Sequence, residues 1–561
     1  MLSSRPSDCR IGDEALAIGA WEDACAAFQG ALLIRESPEC LEGLGMASWW
    51  LDLADLVFDS RERAYRLYLA RQDRRGAARM AVWLGWDCWA FRGECAIANG
   101  WLLRARRLLE GEPDCYERAW LETREAAFCL LEERDVDRAL VLAAEGIRLA
   151  EQAKEADLEV LGRSIQGLAL VASGSIPEGM RCLDEANTAV ISGEMTDLVI
   201  IGLASCYLIA ACERVRDYDR AAEWCERLKV FSSKWGLRPL FAVCRTQYAS
   251  LCIWRGTWLQ ADQELCAAKE ELSASRPAMA GDASVRLGEL RRRQGRLAEA
   301  QALFEGSLPA GASQLGLATI ALDNADPKSA VEYAQRYLRQ IPAHSRLDRA
   351  PGLEVVIRGL VDLGELRLAQ EAMAELSDVA TRTGTVALRA ATEMAGGYIA
   401  LAEKQNQVAR RHFEDGLDAY MTAGAPFEQG RARVLLAKAL MVLGERQSAI
   451  DQARSAIHLF ADLNAELEIT RAQEFMCVLT ADGVVEESAN KRTGGILSRR
   501  EVEIIQLVAN GMNNHIIAER LFISEHTVHR HLANILAKFN VNSRAAAVAH
   551  AAQRGLLKAI S

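Results

Sequence analysis

One segment type recurs along most of this 561-residue chain, and it constrains the fold more than any other feature. A turn, often with glycine, is followed by a small residue that opens the pattern small-x-x-x-large-x-x-small. In GAWEDACAAFQGAL the positions are Gly19, Ala24, Phe28 and Ala31; in GRLAEAQALFEGSLP they are Gly295, Ala300, Phe304 and Ser307. Twelve such anchors can be marked: Ala24, Ala64, Ala105, Ala139, Gly179, Ala221, Ala261, Ala300, Ala330, Ala369, Ala409 and Ala449. Most successive anchors are 39 to 42 residues apart, and seven have glycine five residues before them (Gly19, Gly100, Gly174, Gly256, Gly295, Gly364, Gly444).

Forty residues is the length of two antiparallel helices with two short turns. Glycine ends the first helix because the left-handed cap is cheapest without a Cβ. The small anchor lets two backbones approach, and the residues four and seven later lie on the same face. One pair cannot bury its apolar face alone, so the pairs must stack. The 30-residue step between Ala300 and Ala330 leaves room for only a stunted first helix over SLPAGASQLGLATIALDNADP, and predicts a kink there. These segments resemble tetratricopeptide repeats: GAWEDACAAFQGALLIRESP is close to the second-helix signature, down to Pro38. The other segments lack most of that family's aromatic positions and run longer.

All twelve tryptophans lie at or before Trp258. Trp83, Trp86 and Trp89 recur every three residues on one helix, alongside Trp49 and Trp50. They read as inter-repeat core, the alternative being a partner or ligand surface. Fifteen cysteines run from Cys9 to Cys477 with no C-x-x-C pair, which points to apolar filler in a reducing compartment rather than to zinc or a disulfide framework. The first residues lack an apolar signal core, and the apolar run Leu198–Cys212 is shorter than the roughly 20 residues of a membrane helix. A soluble cytoplasmic protein without a membrane segment is expected.

The net charge of −11 argues against nucleic acid until it is divided. Residues 496–561 carry 8 basic and 4 acidic side chains, a net of +4, which leaves −15 on residues 1–495. Five of the eight histidines (His515, His526, His529, His531, His550) also fall in this tail. The repeats stop near Thr480, and residues 481–495 read as a polar linker. Then LSRREVEIIQLVANG opens with a capping box, Ser498 to Glu501, and closes at Gly511. NNHIIAERL is a second short helix, FIS a tight turn, EHTVHRHLANILAKFN a third helix capped by Ser524, and SRAAAVAHAAQRG a fourth. On the third helix Val528, Leu532, Ile535, Leu536 and Phe539 share one face and must point to the core. His526, His529, Arg530, Ala533 and Ala537 then point outward. A short helix, a turn and a longer helix with a polar outer face is the arrangement that enters a major groove.

From Gly511 to His531 the sequence GMNNHIIAERLFISEHTVHRH resembles the LuxR-type helix-turn-helix, preceded by LSRRE and followed by VNSR. The expected architecture is therefore all-α: a long TPR-like α-solenoid of helical hairpins over 1–480, the linker 481–495, and a four-helix LuxR-type domain over 496–561 with its two-helix unit at 514–533. The resemblance implies promoter DNA as partner. It implies contacts from Asn514, His515, Ser524, Thr527, Val528, His529, Arg530, His531, Ala533, Asn534 and Arg544, with Thr527 and His531 on backbone phosphate and His529 and Arg530 facing base edges. It also implies a homodimer through the fourth helix, at Ala546, Ala549, His550 and Gln553.

Two departures from that family stand out: His529 stands where it has lysine, and His515-Ile516 where it has Lys-Glu. Imidazole with an ordinary pKa of about 6.5 is mostly neutral at pH 7, so DNA binding should tighten as pH falls from about 7.5 to 6.

Residues 1–495 hold no strand series for a phosphate-accepting receiver, and the chain has no Gly-Lys step for a nucleotide loop, no H-E-x-x-H and no G-x-S-x-G. No enzyme, cofactor or metal is expected. The groove of the solenoid is expected to take an unknown protein or small-molecule effector, and the acidic body to occlude the basic tail. The alternatives are an interaction scaffold, or an output subunit that depends on a separate ATPase or kinase-like partner.

Overall fold

The computed structural model describes residues 9–481 apart from 236, 237, 308, 309 and 344, and residues 497–557 apart from 498, 522, 524, 540, 542 and 555. For the rest of 228–244 and for 278, 310, 481, 499, 526, 530 and 537 it describes the backbone alone. Among the described residues there are 29 α-helices and no strand.

Among the described residues up to 481 the helices form successive antiparallel pairs, and the main helix-to-helix packing is between neighbours or next-but-one neighbours along the chain. That is the contact pattern of a stacked array, in which each repeat completes the core of the one before. Ten of the twelve anchors are the fourth residue of the second helix of a pair, as Ala24 is in Trp21–Ile34 and Ala449 in Arg446–Leu463. All twelve are buried. Gly179 shows why they are small: a Cβ there would meet the Val171 amide nitrogen at 2.8 Å, and one on the facing Gly167 would meet the Gly179 carbonyl oxygen at 2.8 Å.

Ala64 and Ala105 correct the register. In Ala54–Ala70 and Cys95–Leu109 the fourth residues are Val57 and Ala98, both fully buried. Ala64 and Ala105 lie seven residues further on, two turns along the same face, where a small residue is equally at home. Gly100 likewise lies inside its helix, and the turn of that repeat is made by Gly93 at φ 67°. The other six marked glycines all turn with φ between 76° and 97°. The short step after Ala300 also falls elsewhere than expected: the stunted helix is Leu297–Glu305, of 9 residues, and Ala310–Asp323 has 14.

The array divides into two compact units, residues 1–292 with 296–352, and 293–295 with 353–561. Inside the first, Arg276 reaches beyond its neighbours, donating to Asp52 Oδ1 at 2.7 Å with its guanidinium 4.4 Å from the ring centres of Trp49 and Phe91. The same unit holds Leu198–Val215, the one helix among the described residues long and apolar enough to cross a membrane. Some 78% of its apolar window is buried inside the protein, so its hydropathy is accounted for by packing. Cys9 and Cys40 are joined by a disulfide that ties Arg10–Ala17 to Pro38–Trp50. The sequence offers no spacing signal for that pair, because only the hairpin brings the two together.

Candidate nucleic-acid interface

The tail builds its own core from helices Arg499–Ala509, Asn514–Leu521, Glu525–Phe539 and Arg544–Gln553. The first ends at Gly511, φ 80°. Its Ile504, Ile505 and Val508 pack with Ile517 and Ala518 of the second and with Val528, Leu532, Ile535 and Phe539 of the third. Leu536 packs against the same cluster. The apolar face read from the helical period is therefore the buried face.

Short polar contacts lock these helices together. Glu501 is 3% exposed, and both its oxygens accept from Lys538 Nζ, at 2.6 and 2.8 Å. Its expected capping partner Ser498 lies outside the described residues. Asn513 caps the second helix, its Oδ1 accepting the Ile516 amide at 2.9 Å. Arg500 donates to the carbonyl of Leu521 at 2.9 Å, closing that helix at its other end. Ser543 Oγ accepts the Ala546 amide at 3.1 Å and starts the fourth helix.

On the outer side of Glu525–Phe539, His529, Ala533 and Asn534 are exposed. His531 is half-buried. Thr527 is 2% exposed and Val528 fully buried, so Val528 is a core side chain rather than a DNA contact, and Thr527 offers a phosphate little surface. Val528 belongs with the inner set because it starts the apolar series that continues at Leu532 and Ile535. Ser524 lies outside the described residues, as do the side chains of His526, Arg530 and Ala537.

Two residues expected at DNA are instead partners of each other: Arg544 Nη1 donates to Asn514 Oδ1 at 3.0 Å. Arg544 also donates to the carbonyl of Met512, so it braces the start of the two-helix unit. His515, 66% exposed, has Nδ1 2.5 Å from Glu525 Oε1 and Nε2 3.5 Å from Glu519 Oε1. It bridges the two helices of the unit across their outer edge. On the fourth helix Ala549 and Gln553 are exposed and Ala546 is half-buried. His550 lies with its ring centre 4.7 Å from that of Phe539, which turns part of it inward.

Reading by period alone missed Asn513, Arg500 and the Glu501–Lys538 pair. Asn513 carried a signal, since asparagine is a preferred cap immediately before an apolar helix. The ion pair, 37 residues apart in sequence, carried none.

Four helices with this core and a polar outer face on the third define a helix-turn-helix domain, and it is of the luxR type. Residues 495–551 match the family model described as bacterial regulatory proteins, luxR family. The transcriptional regulatory protein DegU of Brevibacillus brevis is 49% identical over 63 residues, 11% of this chain and 27% of that protein. The oxygen regulatory protein NreC of Staphylococcus epidermidis is 44% identical over 63 residues, 11% of this chain and 29% of that protein. The chain thus spans less than a third of the length of the curated relatives it matches. A chain in the crystal structure of the APC/C hetero-tetramer Cut9–Hcn1 aligns over 86% of this chain and 93% of its own, with a TM-score of 0.45 and 14% identity.

Proposed function

We propose that this protein is a sequence-specific DNA-binding transcription regulator in which residues 496–561 bind promoter DNA, as a dimer, and the helical repeats of residues 1–480 receive a protein or small-molecule signal. The observation that carries the reading is the third tail helix: its inner face is spent on the core, while His529, Ala533 and Asn534 stand exposed on its outer face. A helix held in that way is free to lie in a major groove. Arg530 and His529 are assigned to base edges, and the exposed Ala549 and Gln553 of the fourth helix to the two-fold contact. Phosphate is met by His531 and by the helix itself. A protein that binds promoter DNA works where that DNA is, in the cytoplasm at the nucleoid.

Residues 1–495 hold −15 of charge against +4 on residues 496–561, so the unliganded body is assigned to restrain its own reader. A signal must then bind one arrangement of the repeats better than the other, or it shifts nothing. The test is gel-shift competition on fragments retained by the full-length chain, with Arg530→Ala as control. Specific retention lost in the variant supports the reading; equal retention overturns it.

A further inference from the structure

Arg276 meets Asp52 across 224 residues of the first unit, and the seat that receives it is shaped for a guanidinium. Asp52 Oδ1 accepts from Nε at 2.7 Å, and the Trp49 carbonyl accepts from Nη2 at 3.3 Å. That carbonyl belongs to the last turn of Pro38–Trp50, where a helix leaves acceptors exposed and its dipole favours a cation. Trp49 and Phe91 lay aromatic faces on the group, each with its ring centre 4.4 Å away. Phe91 comes from the π-helical turn Cys88–Arg92, so two successive repeats build the seat. The Asp87 carboxylate, paired with Arg61, adds its field there, and the Arg61 cation opposes. The arginine is held as firmly as its seat. It closes Trp258–Ser275, its amide donating to the Leu272 carbonyl at 2.7 Å, and Pro277 after it keeps it out of the helical region at φ −136° and ψ 64°. Its side chain leaves this corner 3% exposed.

Helix packing is what this crossing lacks. Among the described residues Pro38–Trp50 and Trp258–Ser275 are not closely packed on one another, whereas each is closely packed on its neighbours in the chain. The unit is crossed in the same manner elsewhere. Arg214 Nη2 donates to Asp348 Oδ2 at 2.9 Å across 134 residues, and Arg286 Nη2 donates to Glu213 Oε2 at 2.9 Å across 73. Distant repeats thus meet through the long arms of arginines. Neighbouring repeats complete one another's core and cannot part without unfolding. A polar crossing can part with every neighbour contact kept, because water takes over the bonds that its charged groups lose.

We propose that Arg276 is a latch. Seated against Asp52, Trp49 and Phe91 it holds the first unit in a closed turn, and unseated it lets the unit open with each repeat intact. The unit then has two arrangements between which a signal bound to the repeats can choose. The latch belongs to the repeats alone and stands whether or not the tail reads DNA.

The experiment uses the full-length chain without DNA and follows the radius of gyration by small-angle scattering and side-chain exposure by hydroxyl-radical footprinting. Phe28 and Phe304, buried in the cores of their own repeats, report whether a variant is folded. Arg276→Leu removes the charge and the fork. Asp52→Lys keeps Arg276 and faces it with a like charge, and the backbone accepts lysine there: Lys404 turns at φ 62° where Asp52 has 57°. In both variants the radius of gyration is expected to rise and the oxidation of Trp49 and Phe91 to increase several-fold, with Phe28 and Phe304 as protected as in the wild type. Where Arg276→Leu alone loses protection at Phe28 or Phe304, Asp52→Lys decides. A wild-type radius of gyration in the deciding variant overturns the proposal. Loss of protection at Phe28 and Phe304 in both variants also overturns it, because the contact is then part of the fold and not a latch.

Discussion

Arg544 Nη1 and Asn514 Oδ1 meet at 3.0 Å, so two residues that the family resemblance sends to DNA are spent on one another. With the added bond to the Met512 carbonyl, Arg544 pins the fourth helix to the entry of the helix-turn-helix. Arg544→Ala is expected to destabilise the tail by about 1.5–3 kcal/mol, the range for hydrogen bonds to a charged group. It should leave the salt dependence of DNA binding unchanged, because a lost phosphate contact would lower the slope of log K against log salt by about 1. Melting of the tail together with a salt titration separates the two roles.

The Glu501–Lys538 pair makes a parallel prediction. Glu501 is nearly inaccessible and its partner Lys538 half-exposed, so Glu501→Ala removes the buried charge together with its bonds. A loss of about 1–2 kcal/mol is expected. Lys538→Met, which leaves the carboxylate buried without its ammonium, should cost more. Denaturant unfolding of both variants gives the order directly.

Charge on the outer face of the third tail helix should set DNA affinity. His529 is exposed there. His529→Lys adds a fixed positive charge at that position, so affinity measured at constant pH and salt should rise and the slope of log K against log salt should steepen by up to about 1.

Asp415, on Asn406–Thr422, predicts a pH dependence of stability. Burial, and next the charge of Glu393, push its pKa up to about 6, against the pull of Arg411 and His412. A carboxyl with a raised folded pKa binds more protons folded than unfolded between about pH 4 and 6, so stability falls as pH rises through that window and stays lower above it. Asp415→Asn should stabilise at pH 7.5 by about 1 kcal/mol, once solvent screening of this partly exposed group is allowed for. At pH 4 it should have no effect. Thermal unfolding at both values is the check.

How far the chain can be read without its structure depends on the range of the interaction. The anchor spacing and the series Val528, Leu532, Ile535, Phe539 are local periodicities, and both reappear as buried faces. Phase is harder than period: Ala64 and Ala105 sit two turns past the true position, because a helix returns to the same face after seven residues. The tryptophans were half legible. Trp49, Trp50, Trp83 and Trp120 are buried as inter-repeat core, but nothing in AVWLGWDCWAFRG shows that Trp86 waits for an arginine 38 residues away. Glu501–Lys538, Arg544–Asn514 and Cys9–Cys40 share that limit, since each joins residues of different helices whose types read equally well as surface or filler.

The central claim is that the third tail helix reads DNA sequence. Selection of bound fragments from a random duplex library by the full-length protein tests it most directly, run beside Arg530→Ala. Enrichment of one motif with two-fold-related half-sites, lost in the variant, is the predicted result. Recovery of unenriched sequence, or the same motif from wild type and variant alike, would contradict it.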